Sequence, residues 1–522
     1  MRPRTQHCGD QRRIATLPFT LEGAQKGMNR QIVRLTYVAL TLVGVLVVMT
    51  TYWQTWAAAG LADRQDNAIK RVAEFSIDRG LVFAFEPRKR LARNVEREID
   101  QKTLFFRRYP YGPLAAHVVG YSTVGRSRTG LERSLNDYLT ASNANLSTFV
   151  DTALDELRGK PVRGNNVVTN LDLDAQSVAL EELGTNCGAV VALDPRTGKV
   201  KVMASSPSFD PNIVEENFQA ISRITANCTP AAPLLNRGSA GLYVPGSTFK
   251  VITASAALES KKYTPESSFL DPGYCTVYGK RVNNFDTSRP FGTIDLTNAL
   301  AYSVNSVFCN IGLKLGARRI LDTAKRFGFY ERPPLETPAD ERMASGLYRN
   351  GKLFYPKVDV NVDAGRMAFG QERMLVTPLQ MAMVAGAIGL GGRLMEPQVV
   401  DRIVAPGGKV IERGRPRLIR RAVSKETADA VAAMMRLAVE RGTGTAAQIS
   451  GYSIGGKTGT GETGVPGSNI TWFIAFAGKD EESPPELAIA VVLQNQSGTG
   501  GTTAAPIARA VMQAILQGTE NP

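Results

Sequence analysis

Leu35–Trp53, LTYVALTLVGVLVVMTTYW, is an uncharged and mostly apolar run, and no charge follows it until Asp63. As a helix, about 20 apolar residues at 1.5 Å each cross the ~30 Å hydrocarbon layer of a bilayer. Before the run, Arg2, Arg4, Arg12, Arg13, Lys26, Arg30 and Arg34 stand against Asp10 and Glu22, and after it come Trp53 and Trp56. Basic residues on one flank and indole rings on the other predict a single-pass anchor in the cytoplasmic membrane, with the N-terminus cytoplasmic and the chain beyond residue 57 extracytoplasmic. Ala57-Ala58-Ala59 offers an A-x-A cleavage site. The apolar run is longer than the roughly 7–15 residues of a secretory signal, so an uncleaved anchor is expected. Met28 is a second candidate start, since MNRQIVR keeps the basic flank.

Further along, the apolar period changes. Residues 61–100 mix Arg, Asp and Glu with scattered apolar positions and make a poor core alone, and 107–139 holds short apolar segments broken by Pro and Gly. RGKPVRGNN (158–166) reads as a linker. Two β-rich runs, Gly188–Asp194 and Lys199–Ala204, flank Pro195-Arg196-Thr197-Gly198, a hairpin signal. Trp472–Ala477 and Leu487–Leu493 are two further strands, and Ile507, Val511, Ala514 and Ile515 share one face of a closing helix. Helical patterns cover 249–260, 295–315, 378–390 and 425–440. Strands first, a helical middle and strands last predict an α+β fold with helices packed on an antiparallel sheet.

Composition narrows the chemistry. Of 522 residues 43% are hydrophobic and 21% charged, the balance of a globular chain. With only two histidines, His7 and His117, and no C-x-x-C pair, a His-based zinc site cannot be assembled. A Ser-His-Asp mechanism would have to use His117, because His7 lies in the basic tail. Catalysis is therefore expected from Lys, Ser, Thr or carboxylates. The net charge of +14 is concentrated partly in that tail and otherwise spread thinly, which suits a membrane flank and a solvated surface rather than a nucleic-acid groove. Outside the membrane Cys187, Cys228, Cys275 and Cys309 would meet a disulfide-permissive compartment; they allow three pairings, and buried free thiols are the other reading.

Three short motifs remain. Pro245-Gly246-Ser247-Thr248-Phe249-Lys250 sets Ser247 and Lys250 at i, i+3 on one face of a helix start. A serine needs a neighbouring base, and a lysine serves when burial or a nearby positive charge keeps it neutral. Ser303-Val304-Asn305 lies between helical patterns; Ser134-Leu135-Asn136 has the same form, and a cap or turn explains either alone. Gly456-Lys457-Thr458-Gly459-Thr460 completes, with Gly451, the phosphate-loop pattern G-x-x-x-x-G-K-[ST]. Such a loop needs a strand before and a helix after, yet RGTGTAAQIS precedes it and GETGVPGSNI follows. An extended segment is expected instead, its Lys457 and threonine hydroxyls suited to a carboxylate and Gly459 letting a substrate backbone lie close.

Taken in order, S-x-x-K, S-x-N and K-T-G resemble the penicillin-interacting serine acyltransferases. YPYGPLAAHVVGY, TGLERSLNDYL and GAVVALDPRTGKVKVMASSPSFDPN look like class B penicillin-binding proteins, with most similarity to the actinobacterial penicillin-binding protein A group, over roughly residues 28–520. The match loosens at SIDRGLVFAFEPRKRLARN and at Gly461, where the family often has Ala. The resemblance implies a basic tail (1–34), a transmembrane anchor (35–56), a non-catalytic pedestal or dimerisation-type domain (57–180) and a transpeptidase domain (181–522), with no cofactor and no metal. It implies Ser247 as nucleophile, Lys250 as its base, Ser303 as proton relay, and Asn305 holding the acyl-side amide and Lys250. Lys457 would keep Lys250 neutral and favour the substrate carboxylate, with Thr458, Gly459 and Thr460 lining the site and the backbone N–H groups of Ser247 and Thr460 forming an oxyanion hole. The implied substrates are peptidoglycan stem peptides ending in D-Ala-D-Ala, β-lactams are covalent inhibitors, and a membrane-embedded glycan polymerase with other wall-synthesis proteins are the implied partners; Glu132 is expected in a structural ion pair. A D,D-carboxypeptidase and a catalytically idle penicillin-binding scaffold share the motifs and stand as the alternatives.

Overall fold

The computed structural model describes residues 21–53, 74–85, 89–142, 162–288, 290–356, 361–465 and 467–518. Two compact units result, residues 1–70 and 71–522. In the first, α1 (Leu21–Tyr52) contains the segment Arg30–Tyr52, with a mean hydropathy of 2.3, long and apolar enough to cross a membrane. Its threonines are self-satisfied: Thr36, Thr41 and Thr51 each donate to the carbonyl four residues earlier. Polar hydroxyls in a hydrocarbon layer need that internal partner. The basic residues before Leu21 and the Trp56 and Ala57–Ala59 positions lie outside the described residues.

In the second unit β1 (Val82–Phe83), β2 (Arg90–Ile99), β3 (Lys102–Arg108) and β4 (Asn166–Thr169) precede α2 (Leu173–Leu183) and the hairpin of β5 (Gly188–Leu193) and β6 (Val200–Ser206). Then follow α3 (Lys250–Glu259), the short strands β7 (Ser268–Asp271), β8 (Tyr274–Val277), β9 (Lys280–Asn283) and β10 (Gly292–Asp295), and the helices α4 (Leu296–Ala301), α5 (Asn305–Leu315) and α6 (Pro378–Gly389). The chain ends with β11 (Val400–Val404), β12 (Val410–Arg413), α7 (Lys425–Glu440), the long strands β13 (Ser453–Glu462), β14 (Asn469–Gly478) and β15 (Leu487–Gln496), and α8 (Ala504–Gly518).

The main sheet runs β13-β14-β15-β5-β6, antiparallel throughout, so the expected hairpin and the late strands meet where Val491 pairs Val190. Alternate residues serve two cores: on β14, Trp472, Ile474 and Phe476 face one side and Phe473, Ala475 and Ala477 the other. Ala175, Ala179 and Leu183 of α2 and Ile507, Val511 and Ile515 of α8 cover the second face. On the first lies α6, buried from Pro378 to Ile388; Thr377 caps it and Pro378 fills its first position. Gly389 permits its approach, since a Cβ there would meet the Phe476 ring at 2.7 Å.

The helices expected at 249–260, 378–390 and 425–440 form within a residue or so of those bounds. The pattern at 295–315 does not make one helix. It breaks into α4 and α5 at Ser303, whose φ of 63° is left-handed. The linker reading of 158–166 also differs where it can be compared. Gly164 and Asn165 are buried, and Asn166 opens β4. A Cβ on Gly164 would stand 1.8 Å from the Leu139 carbonyl, so the chain crosses here in tight contact. A second sheet, β12-β11-β4-β1-β2-β3, is parallel only at β1–β4 and draws its outer strands from residues 400–413.

Glu132 is fully buried between two cations, 2.7 Å from Arg79 Nε and 2.7 Å from Arg107 Nε. Burial alone would raise its carboxyl, but Arg107 and Arg79 outweigh that and hold it low. Four cysteines pair as Cys187–Cys228 and Cys275–Cys309. Removing one partner of a buried ion network leaves uncompensated charge, at a cost of about 3–5 kcal/mol. Glu132→Gln is therefore expected to lower the thermal unfolding temperature clearly; an unchanged melting curve would mean that Arg79 and Arg107 are solvated without it.

Candidate active site

Between β6 and α3 the chain returns to the main sheet and is pinned there. Trp472 Nε1 donates to the Val244 carbonyl at 2.9 Å, and Tyr243 exchanges backbone hydrogen bonds with Val376. Gly246, at φ 52°, then turns the chain into a short 3₁₀ stretch, Gly246–Phe249, that runs into α3. Its left-handed backbone and its contact with β13 both require glycine, because a Cβ would meet the Thr460 carbonyl at 2.4 Å. Ser247 is half-buried on this turn, and among the described residues its hydroxyl makes no hydrogen bond. The Thr248 hydroxyl donates to the Pro245 carbonyl at 2.8 Å.

One helical turn on, Lys250 is completely buried. Its Nζ lies 2.6 Å from the Ser303 carbonyl, 2.7 Å from Asn305 Oδ1 and 3.3 Å from Ser303 Oγ, with the Phe308 ring 5.5 Å away. Burial, and then the charge of Lys457, hold the Lys250 amine well below the usual lysine range. The S-x-x-K and S-x-N motifs thus form one cluster. The left-handed Ser303 makes this possible: it ends α4, starts α5 at Asn305, and presents its carbonyl and hydroxyl to Lys250.

Asn305 Nδ2 donates to the Asn283 carbonyl at 3.0 Å, tying α5 to the β9 region. Behind it is a buried carboxylate with no sequence motif of its own. Asp271 accepts from Ser306 Oγ at 2.5 Å, from Asn284 Nδ2, and from the backbone N–H groups of Gly273 and Phe291. Burial would raise this carboxyl, but the donors, Ser306 first, keep it below the usual range. The Cys275–Cys309 bridge joins β8 to α5 one turn beyond Asn305. Asp271-Pro-Gly reads in sequence only as a turn, so nothing there signals this role.

Lys457 is also fully buried, in β13, and donates to the Thr458 carbonyl at 3.0 Å. Burial pushes its amine down to about 7. The Thr458 hydroxyl is 2.6 Å from that of Thr443, a partner hidden in the turn Arg441-Gly-Thr-Gly-Thr445. Because Gly456-Lys457-Thr458 sits inside a strand followed by another strand, no phosphate loop exists here. Gly459 has a different neighbour from the one expected. A Cβ there would meet Pro245 O at 2.7 Å and Thr248 Cγ2 at 2.8 Å, so its bareness lets β13 press on the Ser247 turn. Gly461 does the same against Val244 O, at 2.7 Å.

The other candidates lie apart from this cluster. Ser134 and Asn136 bond Gly130 and Arg79. His117 Nε2 is 2.8 Å from the Pro233 carbonyl and its ring meets Phe209 edge-on; burial pushes it down to about 4. It makes no contact with Ser247, which leaves the lysines as the titrating groups of the site.

A half-buried serine on a helix-leading turn, a buried lysine one turn later, and a second buried lysine on the edge strand of an antiparallel sheet define the penicillin-interacting class of serine acyltransferases. The penicillin-binding protein transpeptidase domain matches residues 188–513, and the penicillin-binding protein A dimerisation domain matches 79–167. The chain belongs to the penicillin-binding protein transpeptidase family. It is 33% identical to the peptidoglycan D,D-transpeptidase PbpA of Mycolicibacterium smegmatis, over 94% of this chain and 99% of that one. Against PbpA of Mycobacterium tuberculosis the identity is 32%, over 94% and 100%. It is also similar to the solved penicillin G acyl-enzyme complex of penicillin-binding protein A from M. tuberculosis, with a TM-score of 0.73 and 31% identity over 84% of this chain and 100% of that one.

Overpacking a tight contact costs about 1–3 kcal/mol and moves what it touches. Gly459→Ala is expected to displace β13 from the Ser247 turn and slow labelling by a fluorescent penicillin at least tenfold. Labelling at the wild-type rate would show that the strand can retreat without harm.

Proposed function

We propose that this chain is a peptidoglycan D,D-transpeptidase whose Ser247 is acylated by stem peptides ending in D-Ala-D-Ala, and by β-lactams that imitate them. The observation that carries this reading is the buried Lys250 amine, held between Ser303 and Asn305 with its basicity depressed, one helical turn from Ser247. Ser247 Oγ attacks the carbonyl carbon between the two D-alanines while Lys250 Nζ takes its proton. The oxyanion is met by the backbone N–H groups of Ser247 and Thr460, and Asn305 holds the acyl-side amide. As the C–N bond breaks, the proton passes from Lys250 through Ser303 Oγ to the departing D-alanine amine. The amine of a second stem peptide then attacks the ester, forming the cross-link and returning Ser247. In a β-lactam the leaving amine stays tethered, so the ester persists.

Lys457, Thr458 and Thr460 suit the terminal carboxylate: a cation and hydroxyl donors on one strand. Residues 57–180 are read as the pedestal that carries the catalytic domain, residues 181–522, and meets wall-synthesis partners, a membrane-embedded glycan polymerase among them. The apolar α1, with basic residues before it, is read as the single-pass anchor that leaves this domain outside the cytoplasmic membrane.

Mass spectrometry of the detergent-solubilised chain after incubation with penicillin G should find one adduct, on the Ser247 peptide, absent from Ser247→Ala. With a D-Ala-D-Ala peptide and an amine acceptor, aminolysis product should exceed hydrolysis product. An adduct with hydrolysis alone would make the protein a carboxypeptidase, and no adduct would make it a scaffold.

The two lysines also set a pH dependence. Acylation needs Lys250 neutral, so the rate rises as pH passes through its depressed pKa. It needs Lys457 charged for a carboxylate ligand, so kcat/KM or its acylation equivalent falls as pH passes about 7 in the free enzyme. In Lys457→Met the like charge is gone and Lys250 gains basicity. The rising limb should therefore move to higher pH, the falling limb should vanish, and the rate at the optimum should drop. An unshifted rising limb would separate the two amines electrostatically.

A further inference from the structure

Asp271, the last residue of β7, is buried and takes no part in the proton transfers above. Its Oδ1 accepts from Ser306 Oγ at 2.5 Å and from the Gly273 N–H at 2.9 Å, and its Oδ2 accepts from the Phe291 N–H at 2.9 Å. Asn284 Nδ2 stands 2.9 Å from both oxygens. None of these donors is a cation. Taking a carboxylate out of water is costly, and a buried polar group satisfied this fully rigidifies whatever its donors belong to.

Two of the donors belong to the wall that holds Lys250. Ser306 is the second residue of α5, where a helix leaves its backbone N–H groups without partners, and Val304 before it supplies no side-chain cap. The cap comes from other elements instead: the Ser306 N–H donates to Asn284 Oδ1 at 3.0 Å, and its hydroxyl donates to Asp271. Asp271 also takes Asn284 Nδ2, which leaves Asn284 Oδ1 turned to α5. Asn305 faces the same choice, since a primary amide offers an acceptor on one side and donors on the other. The carbonyl of Asn283, next to Asn284, accepts from Asn305 Nδ2 at 3.0 Å, and Oδ1 is thereby left to Lys250 at 2.7 Å.

Resting on the transpeptidase reading above, we propose that Asp271 is a positioning residue for acylation: acting through Ser306 and Asn284, it fixes the start of α5 and the Asn283 carbonyl, and with them the face that the Asn305 amide turns to Lys250. Asp271 itself neither moves a proton nor binds the donor. Without it the Asn305 amide is free to rotate and set its N–H groups against the Lys250 amine. An ammonium group has no lone pair to meet them, so the charged form of Lys250 loses an acceptor and its pKa falls further. The amine is then a weaker base for the Ser247 proton.

Second-order acylation constants with penicillin G are measured against pH on the full-length, detergent-solubilised chain and on Asp271→Asn, Ser306→Ala and the double variant, each scaled to its folded fraction. At the optimum the constant is expected to fall about tenfold in Asp271→Asn and less in Ser306→Ala, with the rising limb displaced to lower pH in both. Removing the carboxylate's charge would by itself lower the Lys250 pKa, so Ser306→Ala, which keeps that charge, decides between the two causes. Lys457, the charge that acts on Lys250 from β13, stays in place in every variant. Because one run of contacts carries the effect, the double variant should be little slower than Asp271→Asn. A rising limb unmoved in Ser306→Ala, additive losses in the double variant, or wild-type constants throughout would each overturn the proposal; if Asp271→Asn does not fold, the limb in Ser306→Ala settles it alone. A wild type that penicillin G does not acylate would overturn the transpeptidase reading itself, a different result from a limb that stays put.

Discussion

Two amines buried within range of each other's charge are the constraint around which this protein is arranged. Moving one ammonium ion into an interior costs several kcal/mol, and two nearby add their repulsion. The surroundings of Lys250 fit a neutral amine. Two pure acceptors, the Ser303 carbonyl and Asn305 Oδ1, take its two N–H groups at 2.6 and 2.7 Å. The remaining neighbour at 3.3 Å is a hydroxyl, which can donate to the nitrogen lone pair as readily as accept. Lys457, which donates to the Thr458 carbonyl, is pushed down to about 7 by burial.

Three elements far apart in sequence must converge for that cluster to exist, and each bends a local rule to do so. Had α4 and α5 been one helix, the Ser303 carbonyl would point along the helix axis to the amide four residues on. The left-handed Ser303 breaks that ladder, a conformation that costs a non-glycine residue about 1–3 kcal/mol and persists where the surroundings over-determine it. Asp271 supplies part of that determination by holding Ser306, Asn284 and Phe291 together. On the opposite wall Gly246, Gly459 and Gly461 remove side chains so that backbones touch.

Much of this was legible before the structure. The β5–β6 hairpin, the late strands, the helices at 249–260, 378–390 and 425–440 and the closing helix follow from the apolar pattern, because each is packed against the main sheet or its helices. The order of the three motifs is legible too, and the structure brings Lys250 within hydrogen-bond distance of Ser303 and Asn305. What escaped depends on contacts between distant segments. Ser303-Val304-Asn305 reads in sequence as a cap or turn within the helical stretch 295–315, but its left-handed backbone and its contact with Lys250 come from tertiary context. Gly459 was read as room for substrate, whereas the atoms it makes room for belong to Pro245 and Thr248. Asp271 and Thr443 sit in turn-like sequences whose partners lie 35 and 15 residues away. The pairing of four cysteines cannot be read from spacing, nor can the entry of residues 400–413 into the sheet built on β1 to β4.

The position of β13 turns a structural liability into geometry for recognition. It is the edge strand of a five-stranded sheet, and an edge normally invites unwanted pairing. Here the Ser247 turn covers part of it, through contacts that only glycine allows. The same strand carries Lys457, Thr458 and Thr460, so an extended peptide laid along it would find backbone partners, a cation and hydroxyl groups together. Burying Lys457 under that strand prevents its charge from being spent on solvent. Burial depresses the Lys457 amine, and a carboxylate bound beside it would recharge it, which would in turn act on the protonation of Lys250.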